Sequence, residues 1–289
     1  MTHSVARLPV QKTYKIYIDG KFPRTESGRY YKYITDSGVF VANICRCSRK
    51  DFRDAVTAAR LAFAGWSCRS AYNRGQILYR IAETLEGRRA QFEAALKTEG
   101  VSKTAAAAEV GKAIDLLIYY AGWTDKFQQL FSSVNPVASA HFNFSYPEPS
   151  GVVAVFSPYK SGLLGLVASV IPAIAGGNTV VALAATKFPL TAIDFAEVVH
   201  TSDVPPGVFN VLTGFPDELL KEFASHKDVN AFLYCNDNPA ELKLAEAMGA
   251  ENIKRVIPRP EFNKAAMVLS PYPVMDLQEI KTTWHPVGM

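Results

Sequence analysis

Cysteine is scarce in this chain, and long apolar runs and blocks of like charge are missing. Its 289 residues hold four cysteines, Cys45, Cys47, Cys68 and Cys235. That is too few to staple a chain of this length, so they read as the reduced thiols of an intracellular protein. Cys45 and Cys47 flank only Arg46, a spacing that suits no common zinc pattern, and no metal is expected. The most apolar segment, Leu163 to Ala175, contains Pro172 and is too short to span a bilayer. The opening MTHSVARLPVQK lacks the apolar run of a signal peptide and reads as a loose arm. A soluble, cytoplasmic protein without a membrane partner is expected. The 31 basic and 27 acidic residues leave a net charge of +4 and are interspersed. With no Lys/Arg block to track phosphates, nucleic acid is not an expected partner. No repeat period and no low-complexity tract occurs.

What is present is a globular composition, 48% hydrophobic and 20% charged, in a chain long enough for a sizeable core. Tyr14 to Ile18 alternates and meets Asp19-Gly20, a hairpin turn signal, before Lys21-Phe22; a small edge hairpin is expected there. Ser48 with Asp51 three residues on resembles a capping box. Behind it Phe52, Val56, Ala59 and Phe63 recur at helical spacing. A second helix is expected after Asn73, with Ile77, Leu78, Ile81 and Leu85 on one face. A third passes through Val110, Ile114, Leu117 and Ala121 to Phe127. The region from 48 to about 131 thus reads as an amphipathic scaffold covering one face of a sheet.

Asn135 to Glu148 alternates between Pro136 and Pro147, with His141, Asn143 and Ser145 on one side and Phe142, Phe144 and Tyr146 on the other. It reads as one exposed strand with an aromatic face, which invites pairing or covering. From Gly151 the rhythm changes. Apolar runs GVVAVFS, NTVVAL, GVFNVLT, VNAFLYC and IKRVI alternate with helical segments, and AAMVL is a last apolar run. Such alternation predicts a parallel sheet covered on both faces. Ligands of such sheets bind beyond the C-terminal strand ends. Here one of those ends is Ala182 to Thr186, nearly all methyl groups.

YYAGWTDKF (Tyr119 to Phe127), GVVAVFSPY (Gly151 to Tyr159), IPAIAGGNTVV (Ile171 to Val181), PLTA (Pro189 to Ala192) and PPGVFNVLTG (Pro205 to Gly214) resemble the aldehyde dehydrogenase superfamily, in order and spacing. IDGKF (Ile18 to Phe22) resembles that family's opening hairpin. The match covers most of this chain but about the first half of the family's fold. The resemblance implies a Rossmann-like α/β nucleotide domain with helices on both faces of a parallel sheet, an amphipathic helical region before it, and a protruding oligomerisation strand. The implied division is 13–134 with 149–271 as the nucleotide-type domain, and 135–148 with 272–289 as segments that join subunits.

Position by position, the family's chemistry is altered. After Ser157, Pro158 and Tyr159, the oxyanion asparagine of the family is Lys160. Its ribose lysine and the glutamate three residues on are Leu183 and Thr186, with Lys187 one residue past. Asn236 and Asp237 stand at its pyrophosphate-cradling Gly-Ser, where an acid repels an anion. Its general-base glutamate aligns with Arg259, two residues before Glu261. No cysteine follows Cys235, and Cys235 itself takes a threonine position, so it reads as a small buried side chain. Lys160 reads as solvated rather than as a reactive amine or anion clamp, and His285 as packing. GLLG (Gly162 to Gly165) is no dinucleotide fingerprint.

Aldehyde oxidation by this route needs a thiolate, oxyanion donors, a nicotinamide and a base. The expected function is therefore a non-catalytic module with a structural role, partnered by a second copy or by an active aldehyde dehydrogenase module, with no cofactor. KTYKIYIDGKFPRTESGRYY (Lys12 to Tyr31) and KTTWHPVG (Lys281 to Gly288) resemble the ends of the truncated second module of two-module members, and TWHPVG reads as a pairing strand. Two alternatives stay open. One is an NAD(P)-dependent oxidoreductase whose cysteine comes from another chain or module. The other is a nucleotide-binding or sensing module in which Lys160 or Lys187 meets phosphate.

Overall fold

The computed structural model describes residues 12–263 and 269–288. All but the last residue of the expected loose arm, and most of the AAMVL run, lie outside the described residues.

The chain opens with β1 (Thr13–Tyr14), β2 (Tyr30–Ile34) and β3 (Phe40–Cys45), a small sheet in the order β1-β3-β2. The Asp19-Gly20 turn forms, both residues at positive φ (52° and 69°). Its arms are single bridges rather than a hairpin ladder. Ile18 faces Lys21, while Tyr17 pairs with Val211 on a distant strand. The expected edge hairpin is thus reduced to its turn, because the Tyr17 backbone bonds across the fold.

Four helices follow: α1 (Arg49–Ser67), α2 (Ala71–Gly87), α3 (Arg89–Thr98) and α4 (Lys103–Trp123), then a short α5 (Phe127–Phe131). The Asp51 carboxylate accepts the Ser48 N–H at 2.7 Å and its hydroxyl at 2.9 Å, so the capping signal fixes the start of α1. α2 begins earlier than the apolar spacing suggested, because Ser70 caps it by accepting the Asn73 N–H at 3.3 Å. Its predicted stripe, Ile77, Leu78, Ile81 and Leu85, is buried.

The centre is a parallel sheet of five strands: β6 (Val152–Phe156), β7 (Thr179–Leu183), β8 (Phe209–Leu212), β9 (Ala231–Tyr234) and β10 (Arg255–Pro258). They precede, follow and alternate with α6 (Leu163–Ala175), α7 (Pro189–His200), α8 (Pro216–Ser225) and α9 (Pro239–Ala250). Strand order is β10-β9-β6-β7-β8. The chain starts in the middle, runs outward through β8, then returns to the other side, so order reverses between β6 and β9. Successive strand residues serve opposite faces. Val153 and Val155 pack in one apolar cluster with α6 and α7; Val152, Ala154 and Phe156 pack in another with α1 and α8.

This division corrects the one-face scaffold. Helix α1 lies on the α8 side, where Phe52 stacks on Phe223 with centroids 4.0 Å apart. Helices α2 to α4 lie on the other side, outside α6 and α7. The amphipathic pattern gave each helix a buried stripe but not the face it covers.

Asn135 to Glu148 is not one strand. Pro136 follows β4 (Ser133–Asn135), and the chain turns back as β5 (His141–Pro149). After the short α10 (Tyr272–Met275), β11 (Gln278–Pro286) pairs antiparallel with β5 along its whole length. The tail thus covers the strand that the sequence marked as exposed, giving a sheet of order β11-β5-β4. Asn178 anchors its root: its Oδ1 accepts the Gly151 N–H at 2.9 Å and its amide donates to the Leu277 carbonyl at 3.0 Å. No described helix is long and apolar enough to cross a membrane.

Candidate functional site

The loops after β6, β7, β8 and β9 surround a crevice of about 430 Å³ at the strand-order reversal, the place where parallel sheets bind ligands. Phe156 and Ser157 enter it from β6, Leu183 to Thr186 from β7, and Asn236 to Asn238 from β9. Of the residues singled out in the sequence, Ser157, Tyr159, Lys160, Leu183, Thr186, Asn236 and Asp237 all line this one space. Pro158 is buried beside it and is not among its walls. Arg259 is elsewhere.

Leu183 is 1% exposed and continues the apolar strand to its end, so its side chain offers no donor. Opposite, α9 begins. Pro239 occupies its first turn and has no N–H to give. Asn238 Oδ1 accepts the N–H groups of Ala240 at 3.1 Å and Glu241 at 3.4 Å. The donors that a helix start would offer an anion are therefore taken up by its own cap. Acids flank that start: Asp237 just before it and Glu241 within it. Glu241 also accepts the Tyr234 hydroxyl at 2.6 Å, and burial with that carboxylate neighbour pushes the phenol well above its ordinary range. Lys160 reaches across from the β6 loop and meets Asp237 at 3.0 Å, a largely exposed ion pair. Counting Asp217, Asp237 and Glu241 against Lys160, the lining carries two net negative charges. Residues so arranged do not suit the pyrophosphate of a dinucleotide.

Arg259 is turned away from the crevice. Its guanidinium pairs with Asp276 beside α10 and lies 3.3 Å from Glu261, tying the 3-10 turn Pro260–Asn263 to the next helix. Cys235 is fully buried at the end of β9, and burial pushes its thiol well up. That matches an inert packing side chain. His285 sits on exposed β11 opposite Phe142. No group of three or more His, Cys, Asp or Glu placed to hold a metal occurs among the described residues.

Sequence reading missed Pro216, Asp217, Asn238 and Glu241 as walls of the crevice. The first-turn acids of PDELL and NPAEL were the available signal, since helix starts gather such residues. It also missed Glu99 and Glu109. Glu99 accepts the N–H groups of Leu190 at 2.7 Å and Thr191 at 3.2 Å, plus the Thr191 hydroxyl. Burial pushes its carboxyl up to about 8. Glu109 accepts the Leu164 N–H at 3.1 Å. The starts of α7 and α6 are thus filled by carboxylates from the helical layer.

The aldehyde dehydrogenase family profile matches residues 24–275. Retinal dehydrogenase 2 of Gallus gallus is 32% identical over 249 residues, 84% of this chain and 47% of that protein. Mitochondrial 10-formyltetrahydrofolate dehydrogenase of Homo sapiens is 28% identical over 262 residues, 89% of this chain and 28% of that protein. Among solved structures, the NAD+ complex of an aldehyde dehydrogenase from Bacillus cereus superposes with a TM-score of 0.81 at 25% identity, covering 86% of this chain and 50% of that one. The chain spans about half or less of the length of these relatives.

Proposed function

The chain belongs to the aldehyde dehydrogenase family, and on that premise we propose that it is a non-catalytic module of the family whose work is assembly. In this reading it resembles the truncated second module of two-module members. One observation carries the proposal. Lys160 and Arg259, which in this reading stand at the family's oxyanion and base positions, are two cations, each held in an ion pair. A guanidinium stays protonated in proteins and cannot take a proton from water. Cys235, the cysteine beside the crevice, is sealed in the core with its thiol raised, so it is no thiolate nucleophile. The self-capped start of α9 and the donor-free Leu183 support the absence of a bound NAD(P).

The assembly role is supported by the sheet β11-β5-β4. It keeps Val134, Phe142, Ile280 and Trp284 exposed, and its outer strand β11 carries an edge unpaired among the described residues, which invites a further strand. Residues 13–134 with 149–271 form the supporting α/β body in this reading. Segments 135–148 and 272–289 are the joining elements, working in the cytoplasm with a second copy or an active relative.

The test is light scattering coupled to size exclusion, on the chain alone and mixed with a full-length aldehyde dehydrogenase, beside an NAD+-dependent aldehyde oxidation assay. Expected are a dimer or mixed complex, its loss in Phe142→Asp, and no turnover by the chain alone. Turnover at an ordinary enzymatic rate by the purified chain overturns the reading, as does a monomer under every mixing condition.

A further inference from the structure

We propose that the crevice between β6 and β9 binds a small organic cation, a protonated amine carried on an apolar body. Its floor is apolar: Phe156, Leu183, Ala184 and Ala185 are 1%, 1%, 2% and 7% exposed. At about 430 Å³ the space falls within the size range of small-molecule sites.

Two independent observations point to the ligand. Ser157 lines the crevice and is 5% exposed, yet its hydroxyl oxygen is buried without a hydrogen-bond partner. Native proteins seldom leave such a group unsatisfied, and an ammonium or amine N–H supplies the missing donor. The rim then selects charge. Asp217, Asp237 and Glu241 outnumber Lys160, while Arg46, the neighbouring cation, is paired with Glu218. An ammonium already rests on this rim, that of Lys160 on Asp237 at 3.0 Å. A ligand amine would take the same kind of seat, with the half-exposed ring of Tyr159 available to its charge. An anion finds no free donors at the start of α9, because Asn238 and Pro239 have used or removed the first of them, and Lys160 is outnumbered by acids.

The test is calorimetry on the whole chain with tryptamine, with indole-3-propionate as the same ring carrying the opposite charge, and with NAD+. Tryptamine is expected to bind saturably and the acid at least about tenfold more weakly, the scale of one charged hydrogen bond. Glu241→Gln and Asp217→Asn should each weaken tryptamine by about tenfold. Lys160→Ala should tighten it, since the competing ammonium is gone. That variant touches an exposed pair, so folding is not at stake. The proposal is overturned if the acid matches the amine, if Lys160→Ala weakens amine binding, or if tryptamine gives no heat with folded protein. Failure of the amine alone leaves the assembly reading standing; tight NAD+ binding overturns the amine proposal, while the assembly reading falls only with turnover by the chain alone or a monomer under every mixing condition.

Discussion

Gly207 shows how one atom is excluded. It sits at φ +83°, and a Cβ there would lie 2.5 Å from the Ala58 carbonyl oxygen and 2.9 Å from the Ala62 methyl. Gly207→Ala combines left-handed strain with overpacking of α1 against the turn before β8, and should cost about 2–4 kcal/mol, read as a lower urea midpoint. A loss below about 1 kcal/mol would mean that the turn relaxes around the methyl. Glu99 makes a different residue-scale prediction. Its native carboxyl is pushed by burial up to about 8 from its ordinary value of 4.5. Between those values the native state holds a proton that the unfolded chain has released. Stability therefore falls as pH rises through this window and levels off above it. Glu99→Gln removes the titration and keeps an acceptor. Its melting temperature relative to the parent should rise between about pH 5 and about pH 8; a constant difference would show that Glu99 is already ionised at the lower pH. Neither role was legible in the sequence. Glu99 precedes Gly100, a glycine at φ +90° that turns the chain after α3, and locally that turn is all the pair encodes. The target of Glu99, the start of α7, lies 91 residues on, and no local pattern encodes that distance.

At the scale of elements, the start of α9 joins stability to the crevice. Asn238→Ala leaves the Ala240 and Glu241 N–H groups without their acceptor. It should cost about 1 kcal/mol, seen as a lower melting temperature, with Asn238→Ser restoring most of it. If Ser fails to restore it, the side chain matters for something besides the cap. Elements were the most legible level of this protein. Strand runs of four or five apolar residues and helices with 3.6-residue stripes were readable because burial on two faces or one leaves those periods behind. The boundaries shifted where a capping residue decided them, as with Ser70 ahead of Asn73. The stretch from 135 to 148 was misread as one strand because Asn135 alternates correctly with His141 to Tyr146 across a turn. Periodicity carries no sign of a reversal in direction.

For the whole molecule, the buried Trp66 indole is informative. It belongs to α1 yet donates to the Ile174 carbonyl of α6 at 3.0 Å, and it packs in the cluster that joins α2, α4, α6 and α7 to the sheet. The helical layer and the sheet thus share their core, so neither has an apolar interior of its own to fold around. Urea unfolding followed by tryptophan fluorescence and by far-ultraviolet circular dichroism should give coincident transitions. An early fluorescence transition would show the helical layer detaching first.

The sequence by itself determined the class of fold and the chemical character of the crevice. Alternating apolar strands and helices can bury their faces in few ways, and residue identity at Lys160, Leu183, Thr186, Asn236 and Asp237 sets charge and donor content before folding begins. Tertiary structure alone decided that α1 crosses to the α8 face, that β11 covers β5, that Arg259 turns to Asp276, and that Ser157 is left with an unsatisfied hydroxyl. Each of these depends on which distant surfaces meet. That choice is made by complementary packing and hydrogen bonding over the whole chain, and leaves no period or motif in any one segment.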